Sequence, residues 1–282
     1  MQKEVIKMLM DYHVHTCYSD DSSYPMEEVV RDAIKIGLGE ICFTDHVDYG
    51  VKLDREGKSE KELEGNVLNV DYPAYFREID RLRKKYGNRI TIKQGMEFGV
   101  QTHTIPAFEK LYSGYDFDFI ILSCHQVGDK EFWNQNFQRE HTQQEYNELY
   151  YDEIWKVIQN YKNYSVLGHL DLIKRYDRQG NYPYERVKPI ITEILKQVIA
   201  DGKGLEVNTS CFRYGLSDLT PSGEILTLYR ELGGKILTIG SDSHAPKHLG
   251  AHIPEVLEEL KQLGFDSICT YQRMEPIFHR IL

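Results

Sequence analysis

Short, nearly continuous apolar runs recur seven times along the chain, and each ends at a residue able to bind a metal. Residues 8–12 lead into His13-Val14-His15, residues 41–43 into Thr44-Asp45-His46, and residues 90–96 into Glu97. Residues 117–122 lead into Ser123-Cys124-His125, and residues 166–167 into Gly168-His169-Leu170-Asp171. The last two runs, 205–207 and 236–239, end at Asn208 and at Gly240-Ser241-Asp242-Ser243-His244. Parallel strands covered on both faces have this unbroken apolar character, and a barrel built from them carries its chemistry at their C-terminal ends.

Segments with helical period separate the runs. Ser23-Tyr24-Pro25-Met26-Glu27-Glu28 predicts a helix start, with a capping hydroxyl, an early proline and acids in the first turn. Val29, Val30, Ala33 and Ile34 continue it to a closing Gly37. Further helices are predicted over about 72–86, 143–161, 185–200, 221–232 and 254–263. Strand and helix alternate, which predicts the α/β class. With seven strands in place of eight, the expected fold is a distorted (β/α)7 TIM-like barrel over residues 1–282 as one domain, its metal site at the C-terminal strand ends. Two longer, more polar connections, 49–69 and 126–144, are expected to lie over that face as lids. Phe132, Trp133 and Phe137 give the second a substrate-facing or subunit-facing role.

Composition narrows the function. A formal charge of −10 without a basic run excludes broad binding to nucleic acid, which needs clustered Lys and Arg to neutralise phosphates. No window approaches the roughly 18 apolar residues of a membrane span, and the start, MQKEVIKML, lacks the apolar stretch of a leader. Five cysteines, odd in number and without a CxxC pair, fit a reducing compartment, so a cytoplasmic enzyme is expected, as a monomer or homodimer.

Alternate strand residues share a face, so His13 and His15 can grip one ion from one strand. His46, Glu97, His125, His169, Asp242 and His244 join them at other predicted strand ends. Imidazole mixed with carboxylate is the ligand set of Zn, Mn and Fe.

The segments HVHTCYSD, FTDH, Glu97, SCH, GHLD, EVN and GSDSH, spanning residues 13–244, together resemble the polymerase-and-histidinol-phosphatase (PHP) superfamily. SCHQVGDKEFW, VLGHLDLIKRYD and the arginine in NTSCFRYG resemble its histidinol-phosphate phosphatase branch. The resemblance implies three divalent ions, Zn, Mn or Fe. His13, His15, Glu97 and Asp242 would hold the first, Glu97, His125 and His169 the second, and His46, His244 and Asp20 the third, with Asp21 as the reserve. It further implies hydrolysis of L-histidinol phosphate to L-histidinol and phosphate, a step of histidine biosynthesis, through attack by a metal-bridging hydroxide.

Arg175 and Arg213, just past the fifth and sixth strands, are expected to clamp the phosphoryl oxygens of a phosphomonoester, with both binding and catalytic roles. His46 is a further candidate for substrate binding, and Asp242 and His244 for catalysis. The proton donor to the leaving alkoxide is open among His46, His244, Asp171 and Asp242. Asp45, Asp171 and Asn208 are expected to orient ligands, and Asp48, Asp129 and Glu131 are candidates for the substrate amine. His103, His141, His248, His252 and His279 are read as surface groups, with His103 and His248, closest to ligand segments, as the exceptions to watch, and Cys124 as turned away from His125. The alternatives are a PHP-type phosphoesterase acting on nucleotides or another small phosphate ester, an amidohydrolase, whose usual strand-four lysine is replaced by His125, and a barrel that binds metal without catalysis.

Overall fold

The computed structural model describes residues 9–281; residues 1–8, most of the start read for a leader, and residue 282 lie outside the described residues. Seven parallel strands pair in chain order: β1 (Leu9–Val14), β2 (Leu38–Phe43), β3 (Thr91–Gly99), β4 (Phe119–Ser123), β5 (Val166–Leu167), β6 (Gly204–Asn208) and β7 (Leu237–Gly240). Ser243, just past β7, closes the ring onto β1: its N–H donates to the His13 carbonyl at 3.2 Å and its carbonyl accepts from the His15 N–H at 2.8 Å. The result is the expected distorted (β/α)7 barrel. Its second strand is broken. β2 pairs with the first half of β3, the chain leaves at Thr44-Asp45, and His46–Val47 returns to pair with Glu97–Phe98. That detour sets His46 directly opposite Glu97.

Seven helices fill the crossovers and flank the barrel: α1 (Met26–Lys35), α2 (Tyr72–Tyr86), α3 (Ile105–Gly114), α4 (Gln143–Asn160), α5 (Tyr184–Ala200), α6 (Gly223–Glu231) and α7 (Ile253–Gln262). The predicted hydroxyl cap of α1 is corrected, because Pro25 occupies the capping position and no side chain caps the helix. Of these seven, only α3 has no counterpart in the sequence reading; a further single turn of helix, Glu60–Leu63, lies within the 49–69 connection. Helix α3 buries just Phe108 and Leu111, too thin an apolar stripe to stand out as a period.

A C-terminal hairpin, β8 (Ser267–Gln272) and β9 (Glu275–Arg280), was likewise not expected. Its turn residues Arg273 and Met274 adopt φ of 51° and 67° without the Gly or Asn that normally signals such a turn. The Tyr271 N–H donates to the Tyr12 hydroxyl at 2.8 Å, and the Met274 N–H to the Asp118 carbonyl at 2.9 Å. Tyr12 meets Phe119 edge to face and Phe119 meets Tyr271 at a tilt, each pair with centroids 5.0 Å apart. Since Asp118 immediately precedes β4, the hairpin closes the N-terminal end of the barrel and leaves the C-terminal end for chemistry. Among the described residues, no helix is long and apolar enough to cross a membrane.

Candidate metal centre

Glu97, fully buried near the end of β3, is the hub of the site. Its Oε1 lies 2.8 Å from His169 Nε2 and 3.1 Å from His125 Nε2, and accepts from the Ser123 hydroxyl at 2.6 Å. Its Oε2 lies 3.1 Å from His13 Nε2, 3.0 Å from His46 Nδ1 and 3.5 Å from His15 Nε2. One carboxylate thus serves two sets of imidazoles, one at each oxygen. Asp242 Oδ1 stands 3.5 Å from His15 Nε2 and 3.8 Å from His13 Nε2. On the outer side, Asp21 Oδ2 lies 3.0 Å from His244 Nε2 and 3.5 Å from His46 Nε2.

Asp21, not Asp20, therefore faces the pair His46 and His244. Asp20 turns the other way and is held by Lys52 Nζ at 2.5 Å. Successive residues of this turn project in different directions, and a one-residue offset decides which carboxylate reaches the site. The other eight residues read as ligands, His13, His15, His46, Glu97, His125, His169, Asp242 and His244, gather around Glu97.

Four of the ring nitrogens turned away from the centre are held by the protein. His13 Nδ1 is in short contact with Glu206, His15 Nδ1 lies 3.3 Å from the Ser19 hydroxyl, and His125 Nδ1 lies 2.8 Å from Asp48 Oδ1. His244 Nδ1 sits 2.9 Å from the Asp242 carbonyl. Outer bonds of this kind fix the tautomer and leave the inner nitrogen with a lone pair for a cation. Glu206 does more, since its Oε2 accepts the His169 N–H at 2.9 Å and so ties the first and fifth strands together. Asn208 Nδ2 reaches Asp242 Oδ2 at 3.4 Å, as an orienting group should. At Gly240 a Cβ would fall 2.3 Å from His13 Cβ, so only glycine lets β7 approach β1 this closely. Asp242 itself has φ of 54°, a left-handed conformation held by Arg213, whose guanidinium donates to the carbonyls of Ser241 and Asp242.

The electrostatics are those of a cation site. Burial alone would raise the Glu97 carboxyl, but His13, His125 and His46 hold it well below the usual range. Asp242 is likewise depressed against its burial by His13, His15, His244 and Arg175. Burial, then the neighbouring His244 and His46, push His15 well below an ordinary histidine, so it is a neutral donor. His15 Nε2, His46 Nδ1 and His169 Nδ1 are buried without a hydrogen-bond partner among the described residues. Buried polar atoms left unpaired are costly. An N/O donor set with two such atoms aimed at a shared carboxylate fits borderline divalent ions such as Zn, Mn or Fe.

The centre opens into a cavity of about 660 Å³. Arg175 and Arg213 both line it, with Nη2 atoms 3.4 and 3.5 Å from Asp242 Oδ2. Both long connections contribute to its wall, through Val51, Lys52 and Val67 in one and Glu131 and Trp133 in the other. Phe132 and Phe137 are corrected: they are buried and pack on each other, with Phe132 also against Tyr150, while Trp133 lines the cavity and remains 63% exposed.

Other expectations shift. Asp48 is buried, with Lys52 Nζ at 2.9 Å and His125 on its other oxygen, so it orients a histidine and is not free to meet an amine. Asp129 pairs with His103 and Gln101 away from the cavity lining. Asp171 accepts from Lys174 and the Ser222 N–H on the one oxygen Oδ2, and among the described residues it contacts no ligand imidazole and does not line the cavity, so it stands apart from the ligands it was expected to orient and from the leaving group. Asp45 contacts no imidazole nitrogen; it accepts from Thr16 and Ser19 and acts on His15 only through Ser19. Cys124 is buried and turned toward the Gln126 carbonyl, as strand alternation requires. Of the two histidines set apart from the surface reading, His248 lines the cavity and His103 pairs with Asp129 outside its lining.

Glu206 and Lys52 were missed. Glu206 stands two residues before Asn208 on a strand, so alternation already puts both on one face; the signal was present in EVN. Lys52 carried none, because its role depends on how a long connection folds back.

The PHP domain family matches residues 11–210. The chain is 32% identical over 272 residues to a histidinol-phosphatase of Lactococcus lactis subsp. lactis, covering 94% of this chain and 95% of the relative. It is 26% identical over 274 residues to a histidinol-phosphatase of Bacillus subtilis, covering 88% and 98%. Among solved structures, histidinol phosphate phosphatase from Lactococcus lactis, complexed with zinc, L-histidinol and phosphate, aligns with a TM-score of 0.81 at 32% identity over 95% of this chain and 98% of that one. A Listeria monocytogenes structure with a TM-score of 0.71 at 21% identity shares the fold.

Proposed function

The chain belongs to the PHP domain family, and on that premise we propose that it hydrolyses L-histidinol phosphate to L-histidinol and inorganic phosphate with divalent metal ions. One observation carries the reading: the Glu97 centre opens beneath Arg175 and Arg213, and the similar Lactococcus lactis enzyme binds zinc, L-histidinol and phosphate. His13, His15, Glu97 and Asp242 would hold one ion, Glu97, His125 and His169 a second, and His46, His244 and Asp21 a third. Such ions supply an activated water at neutral pH and neutralise charge on the phosphoryl group.

The chain's own groups do the rest. Arg175 and Arg213 meet the terminal phosphoryl oxygens with charge-assisted hydrogen bonds that strengthen as negative charge develops. Asp242 takes up part of both guanidiniums and keeps them turned toward the cavity. The leaving alkoxide takes a proton, and the candidate donors His46, His244 and Asp242 would each be committed to an ion; His244 Nδ1 is engaged by the Asp242 carbonyl as well. Glu131, on the cavity wall, is the acid positioned for the substrate ammonium. Two arginines suit the doubly charged end of a monoester, so the partner is a small molecule and not nucleic acid. A cytoplasmic location accords with five free cysteines, and a monomer or homodimer is the proposed state.

Phosphate release by the metal-loaded protein from L-histidinol phosphate, against nucleotide and sugar phosphates, tests the reading. It predicts that histidinol phosphate leads in kcat/KM by at least about tenfold, a margin equal to one well-made polar contact. A preference for nucleotides, or no release from any ester, would overturn it.

A further inference from the structure

The turn after β6 brings more to the cavity than Arg213. Tyr214, 48% exposed, has its ring centroid 4.1 Å from Arg175 Cζ and 5.2 Å from Arg213 Cζ. Two guanidiniums aimed at one small space repel each other. Asp242 Oδ2, 3.4 and 3.5 Å from their Nη2 atoms, offsets part of that repulsion. An aromatic face carries negative potential and takes a guanidinium at these distances without consuming any of its N–H donors. Stacking therefore adds a restraint that uses no N–H donor, beside the bonds that Arg213 gives to the Ser241 and Asp242 carbonyls and Arg175 to the Ser210 hydroxyl. Arg175 Nε, buried, has no partner among the described residues.

The local backbone supports this use of the ring. The N–H groups of Arg213 and Tyr214 both donate to the Ser210 carbonyl, at 3.0 and 3.1 Å, and the Ser210 hydroxyl accepts from Arg175 Nη2. One short turn thus carries Arg213, holds Arg175 through a serine, and lays a tyrosine against both. The hydroxyl of Tyr214 makes no hydrogen bond among the described residues, so its polar end is not what keeps it there.

We propose that Tyr214 is a positioning residue for the phosphate end of the ligand: its ring stacks on Arg175 and Arg213 and sets the spacing of the two guanidiniums over the cavity. This rests on the reading of those arginines as the phosphate-binding pair. The ring acts through the arginines and does not recognise the organic part of the substrate.

Calorimetric binding of inorganic phosphate and of L-histidinol, each to the metal-loaded protein, tests the proposal without relying on turnover. Tyr214→Phe keeps the aromatic face and is expected to bind phosphate within about twofold of the wild type. Tyr214→Leu and Tyr214→Gln lose it and are expected to weaken phosphate by about tenfold, the scale of a partly desolvated cation–π contact, with metal content and L-histidinol affinity unchanged. Phosphate binding that ignores the ring overturns the proposal, as does a Phe variant as weak as the Leu variant. A parallel loss of L-histidinol affinity or of metal overturns it too, because the ring would then be a substrate contact or a support of the metal centre. Should the wild type release no phosphate from histidinol phosphate while phosphate binding still follows the ring, the functional reading falls and this one stands. With hydrolysis intact and phosphate binding indifferent to the ring, this one falls alone.

Discussion

At the scale of single residues, the site is decided by which way each polar group points. Asp20 and Asp21 are adjacent, yet one faces Lys52 and the other His46 and His244. Asp21→Asn is expected to lower kcat/KM by more than the roughly 10–100-fold typical of an outer orienting group, with loss of bound metal. Asp20→Asn, which breaks only a contact at the edge of the cavity, should cost less than about fivefold. Steady-state kinetics with metal analysis on the two variants checks this; equal effects would return the choice to Asp20. The histidines were legible in the sequence because each follows an apolar run, and strand alternation fixes what lies on the inner face. The Asp20–Asp21 choice was not legible, since both residues sit in a turn where no periodicity governs direction. Lys52 was silent for the same reason, and Asp48 was misjudged because the lysine that neutralises it lies in a long connection.

At the scale of elements, the barrel brings distant residues together by close approach of its strands. β7 meets β1 through Ser243 and through Gly240, where a Cβ would overlap His13. Gly240→Ala is expected to displace His13, lowering metal affinity by about tenfold or more and stability by about 1–3 kcal/mol, the usual range for overpacking. Denaturant unfolding of the metal-free variant separates the stability loss from the affinity loss; an unaltered metal affinity would show that β1 yields without moving its histidine. Strand and helix order was legible from apolar runs and helical period. The elements that escaped, α3 and the C-terminal hairpin, are those with a thin apolar stripe and a turn lacking glycine. The broken second strand also escaped, although His46 owes its place opposite Glu97 to that break.

At the scale of the whole molecule, the N-terminal end of the barrel is closed by a hairpin packed through an aromatic cluster and the C-terminal end carries a cluster of imidazoles and carboxylates around one buried glutamate. Ions held as proposed would link the first, second, third, fourth, fifth and seventh strands, so metal should stabilise the entire fold. Removing it with a chelator is expected to lower Tm by several degrees, since each ion held at about 100 times its Kd contributes about 2.7 kcal/mol and a chain of this size shifts by about 2–4 °C per kcal/mol. Added divalent metal should restore the original melting curve. A Tm indifferent to chelation would mean that the folded chain gains nothing from the ions. The most direct test of the account is the number of divalent ions bound per chain in the wild type and in Glu97→Gln, both checked for intact fold by circular dichroism. Because Glu97 is placed to serve ions on both of its oxygens, the account predicts more than one ion per chain in the wild type and loss of most of them in the variant. A folded Glu97→Gln protein that keeps the full complement would contradict it.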